Sequence, residues 1–148
     1  MNRSYLLALA FVLATLAAAC GGGGGKSTPT TPPSTDTVAI TSITPATGTH
    51  LKGGVDQTFS ATVSYTLNSA ASGTIVLIFE DQNFNVLNVG DQVTKTVTGG
   101  QGTATISDHV VVPFLGSGVT EIQVIIPLTP AGAATTKVSA TAVFPISS

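Results

Sequence analysis

Residues 57–67, "QTFSATVSYTL", set Phe59, Ala61, Val63, Tyr65 and Leu67 on one side of a two-residue repeat, with Ser60, Thr62, Ser64 and Thr66 on the other. Successive side chains of a strand point to opposite faces, so this stretch buries a single face only as β-structure; on a helix the same residues would scatter around the axis. The repeat returns in "TEIQVIIPL", with Ile122, Val124, Ile126 and Leu128 on one side, and in "KVSATAVF", with Val138, Ala140, Ala142 and Phe144. "TIVLIFE" is apolar on both sides from Ile75 to Phe79. Its length and β-branching favour a central strand, although periodicity alone leaves a buried helical turn open.

Composition agrees with strands. Hydrophobic residues make up 43% of the chain and charged ones only 8%, so the wet faces must be covered mainly by Thr, Ser, Asn and Gln. Gly, Pro, Asn and Asp clusters at Asn68–Gly73, Asp81–Asn85, Gly99–Gly102, Pro113–Gly118 and Leu128–Ala134 read as turns between the strands. With Ile40–Ile43 as the first strand, and Val86–Val97 as one strand irregular at Gly90-Asp91, the reading reaches seven. Seven short strands in about 110 residues predict an all-β fold, a single immunoglobulin-like β-sandwich over 38–148. That region resembles the bacterial Ig-like domains of cell-surface proteins, and "ITSITPATG" followed by Gly53-Gly54 resembles the opening of IPT/TIG-type domains.

Ahead of this domain the chain changes character. Arg3 precedes an apolar run from Tyr5 to Ala19 in which only Thr15 is polar, the pattern of an export signal. The run is shorter than the roughly 20 apolar residues of a membrane-spanning helix. It ends in Ala17-Ala18-Ala19 and then Cys20, the chain's one cysteine, followed by five glycines. Residues 16–20 resemble the lipobox of bacterial lipoproteins. The resemblance implies cleavage of 1–19 and a covalent lipid on Cys20; ordinary signal-peptidase cleavage after an A-x-A sequence is the alternative. Acyl burial at about 0.8 kcal/mol per CH₂ makes two or three chains a stable anchor where one is marginal. Gly21 and Gly22 stand where an aspartate would favour inner-membrane retention in the families it resembles, which implies the outer membrane in a Gram-negative cell. Residues 20–37 then read as a disordered Gly/Pro/Thr-rich tether, and its Lys26–Thr37 part would reach about 35 to 40 Å as extended polyproline.

Charge and residue types narrow the function. Loss of 1–19 removes the one arginine and leaves four lysines against seven acidic residues, which disfavours nucleic acid as a partner. Ser107, Asp108 and His109 adjoin, and adjacency places successive side chains on opposite faces instead of in a triad. Asp108 falls on the side of Ile106 and Val110, so a bulge or strand break near Ser107 is expected. "DQNFN" at 81–85 resembles the first half of a Ca²⁺ loop, but Val86 and Gln92 stand where an EF-hand needs Gly and Glu; an Asx-type hairpin turn is the expectation. His50 and His109 lack the Cys or spaced carboxylates of a zinc site. The sequence therefore predicts no enzyme, no metal and no cofactor beyond the lipid. It predicts an envelope lipoprotein whose Ig-like module binds or adheres to a protein partner; a structural subunit docking through a sheet edge or face onto a larger envelope complex is the alternative. In seven-strand Ig topology the N-terminus lies beside the loops after strands two, four and six. The opposite end would then carry the candidate partner-binding residues His50, Lys52, Asp81, Asn83, Asn85, Asp108 and His109.

Overall fold

A computed structural model describes residues 35–136 and 138–148. The strands are β1 (Thr37–Thr44), β2 (Leu51–Lys52), β3 (Asp56–Val76), β4 (Ile78–Asp81), β5 (Thr94–Val111), β6 (Glu121–Pro130) and β7 (Val138–Ser147), with one 3₁₀ turn at Leu115–Ser117. Cys20, the signal segment 1–19 and most of the tether lie outside the described residues.

The 21 residues of β3 are too many for one edge-to-edge pass across a small sandwich, and the hydrogen-bond ladder shows why they are needed. Residues 56–67 pair with 100–111 of β5 on one side, and 60–66 of them with β1 on the other; residues 72–76 pair with 94–98 of β5, and 73–75 with β6. Between Leu67↔Gly100 and Ser72↔Thr98 the register slips, with four residues of β3 facing one of β5. Here both strands pass together from one layer to the other. The first layer is β1, the first half of β3 and the second half of β5. The second holds the first part of β5, the end of β3 with β4, then β6, β7 and the short β2, which runs parallel to β7. This is an all-β, sandwich-like fold in which β4 pairs with β6 in the second layer.

The layers meet over the residues that the two-residue repeat selects. Phe59, Ala61, Val63, Tyr65 and Leu67 are buried from the first layer, and Ile122, Val124, Ile126 and Leu128 from the second. Phe59 joins them: its ring centroid lies 5.0 Å from that of Phe79 on β4 and 5.0 Å from that of Phe144 on β7. Tilted and edge-on rings at this distance add to the area each buries.

Four sequence expectations are corrected. Asn68–Gly73 and Gly99–Gly102 are not turns between strands but the crossing itself, within continuous β3 and β5. Residue 99 must be glycine there, because a Cβ would stand 2.6 Å from the Ala70 carbonyl oxygen. The bulge leaves the N–H groups of Asn68 and Ser69 outside the ladder, and Asp36 Oδ1 accepts both at 2.7 and 3.0 Å while the Ser69 hydroxyl donates to Oδ2. Asp36 is buried and β1 starts at Thr37, so the fold reaches two residues further upstream than position 38. The Val86–Val97 strand is reduced to its last residues; Val86 makes one isolated bridge to Glu80 and the chain is irregular until Thr94. The ladder runs unbroken through Ser107, with Phe59↔Asp108 and Ser60↔Ser107 in register, so the expected bulge is absent.

The pairings also sort the connections into two ends. The chain enters at Thr37 beside Thr66, the crossing, and the β6–β7 connection. The other end gathers the β1–β3 connection, residues 82–93, residues 112–120 and the C-terminal Ser148.

Candidate functional site

Residues 82–93 leave β4 through a turn built on Asp81. Its Oδ1 accepts the N–H of Asn83 at 2.7 Å and of Asn85 at 2.9 Å, and its Oδ2 accepts the Asn85 side-chain amide at 2.8 Å. The Asn85 amide first, then the backbone N–H groups, hold this carboxyl below the usual carboxylate range against a smaller opposing effect of burial. This is the expected Asx-type turn. Both Asp81 oxygens are spent on it, so Asp81 works as the turn's scaffold, with Asn83 and Asn85 exposed around it.

Beyond the turn, Asn88 takes the place of a strand. Its Oδ1 accepts the Phe79 N–H at 3.1 Å and its Nδ2 donates to the Leu77 carbonyl at 3.3 Å, so one buried amide, together with the Leu87 N–H and the Val93 carbonyl, satisfies the edge that the missing strand would have paired. The same Nδ2 donates to Asp108 Oδ2 at 3.0 Å, and Val93 N–H approaches that oxygen at 3.4 Å. Asp108 thus points inward from an unbroken strand because its charge meets donors there. Its Oδ1 accepts the His109 N–H at 2.8 Å.

An open cleft of about 580 Å³ lies between 87–93 and β5, with Asn88, Asp91, Asp108 and His109 on its walls. His109 is exposed, with Nδ1 3.8 Å from Asp108 Oδ1, while the Ser107 hydroxyl donates to Ser60 Oγ at 2.8 Å on the outer face. The three adjoining residues are therefore not connected in series. His50, just before β2, and Lys52, its second residue, are both exposed at this end. All seven candidate partner-binding residues come to one end of the sandwich, but only Asp108 with His109, and Asp81 with Asn83 and Asn85, come together. Among the described residues no three His, Cys, Asp or Glu side chains converge as metal ligands do.

Sequence reasoning overlooked a different set. Of the large apolar side chains left exposed among the described residues, Val55, Phe84, Val89, Val111, Phe114 and Leu115 lie at this end. Phe84, Val89 and Phe114 are 71, 75 and 70% exposed. The available signal was an aromatic or aliphatic residue inside each polar turn cluster. No protein-family model, curated protein or solved structure matches the chain.

Proposed function

We propose that this protein is an exported lipoprotein, anchored through Cys20, whose β-sandwich binds a protein partner by the end away from its chain entry and performs no catalysis. The observation that carries the reading is the opposition of the two ends. The chain reaches the fold at Asp36, and the exposed side chains capable of recognition stand at the other end. A lipid on Cys20 and the segment 21–35 would put the entry end toward the membrane and the recognition end away from it. Loops presented from one end of a rigid sandwich are a common way to carry a binding site.

The second reading is docking through a sheet edge, and a specific feature favours it: among the described residues the 18-residue β5 pairs with β3 alone, which leaves its other side without a strand partner there. Lys95 weighs on the other side. Its ammonium lies 2.9 Å from the Thr105 carbonyl, and a lysine laid along an edge obstructs strand addition.

Mass spectrometry of the mature N-terminus tests the anchor. A diacylated or triacylated Cys20 is expected, and the Cys20→Ser protein is expected in the soluble fraction. An unmodified thiol, or a firmly membrane-bound Cys20→Ser protein, would refute it.

A further inference from the structure

The exposed apolar side chains at the far end do not serve the fold. Phe84 has φ +64°, a left-handed conformation that disfavours a bulky residue and suits Gly or Asn, and its ring still stands mostly in solvent. Phe114 is equally exposed, yet its ring lies over Gly54, where a Cβ would come within 2.4 Å of a ring carbon. Neither side chain hangs on a loose loop. Phe84 N–H donates to the Asp81 carbonyl at 3.0 Å inside the Asp81 turn, and Ser117 N–H donates to the Phe114 carbonyl at 2.8 Å. Gln82 fastens one loop to the other, donating to the Gly118 carbonyl at 2.8 Å and accepting from Thr120 N–H at 3.2 Å. Aromatic side chains carried on loops whose backbone is held in advance leave less to be ordered on binding, which suits an interface anchor.

Charge decides what can cover them. Asp56 and Asp91 are exposed at this end and Glu80 and Glu121 half-buried, whereas Lys52 is the one lysine there among the described residues. Such an end repels anionic lipid and a second copy of itself, and is complementary to a cationic border.

We infer that Phe84, Val89, Phe114 and Leu115 form a preformed docking surface for a protein that offers an apolar hollow bordered by Lys or Arg. This deepens the binding-module reading and rests on it. It shifts recognition from the polar residues to the apolar tips, with the carboxylates as rim.

The test uses the full-length lipoprotein in its own envelope, with a photo-crosslinking amino acid at Val89 and, as control, at Gln101 near the entry end. Three variants carry the Val89 probe: Phe84→Ser, Phe114→Ser and the unchanged background. The expected result is an adduct from position 89 with one protein, whose crosslinked peptide maps to an apolar surface flanked by Lys or Arg. Its yield should fall about 30-fold with Phe114→Ser, the loss expected of an interface hot spot, and should fall again in about 0.5 M salt. Thermal unfolding of each variant should be unchanged, which separates lost docking from lost folding. Lipid adducts would overturn the proposal in favour of a membrane, and adducts with a second copy in favour of self-association. A yield insensitive to salt would overturn the basic border. Adducts from position 101 but not 89 would leave the binding module standing and refute this surface; adducts from neither would refute both.

Discussion

At the end where the chain enters, a bulge exposes two backbone donors, and a carboxylate from 32 and 33 residues upstream, Asp36, turns inward to accept them. At the opposite end Asp81 does comparable work for its own turn, but the turn then holds a phenylalanine out in solvent. The same chemistry, an acidic side chain satisfying backbone N–H groups, serves packing at one end and presentation at the other. Substitutions at the entry end should therefore be read in stability, and substitutions of the far tips in binding.

The core between the ends sets the scale. Phe59→Ala removes the ring that joins Phe79 and Phe144 and should cost about 3 to 5 kcal/mol in denaturant unfolding, whereas Thr62→Ala on the outer face should cost under about 0.5 kcal/mol. Equal losses would break the assignment of faces. Next in size is Asp36→Ala, which strands the N–H groups of Asn68 and Ser69 and should cost about 2 to 3 kcal/mol. Phe114→Ser, 70% exposed, should change stability by less than about 0.5 kcal/mol. If the order of these two is reversed, the contrast between the ends fails.

Acid sharpens the contrast in another way. Asp81 is held below its unfolded value, so the stability it lends the turn is present above about pH 4 and is lost as pH falls through its lower folded value. Amide exchange or fluorine-labelled Phe84 should report opening of residues 82–85 in that acid range while the β6–β7 pairing stays intact. In the Asp81→Asn protein the turn should lose this acid transition altogether. Retention of the transition in that variant would assign it to another carboxylate.

Much of the sandwich is legible in the sequence because alternation is a local signal: Phe59 to Leu67 and Ile122 to Leu128 announce their buried face within one strand. What is not legible depends on partners far along the chain. The cluster from Asn68 to Gly73 is compatible with a turn or with a bulge, and the choice is made by its pairing to residues about 30 positions away. Asp36 reads as tether because its partners lie that far off as well. Asp108 reads as a break because an inward carboxylate needs a donor, and Asn88, which supplies it, stands in the stretch that reads as an irregular strand over Val86–Val97. At the candidate site, turn chemistry draws attention to Asp81, Asn83 and Asn85, while the residue between them, Phe84, carries the more informative conflict.

That conflict yields a small expected effect and the most direct one. A non-glycine residue in the left-handed region carries a cost of about 1 to 2 kcal/mol, and Phe84 returns little of it through burial, being 71% exposed. Glycine adopts the same φ freely, though its unfolded chain has more freedom to lose. Phe84→Gly should therefore leave stability unchanged or raise it by about 1 kcal/mol, measured by urea unfolding with an unaltered slope. The same variant should lose the adduct formed from position 89. A residue whose removal improves the fold and abolishes docking is retained for docking. A clear loss of stability would instead show that the Phe84 ring packs, and would return the far end to the same category as the entry end.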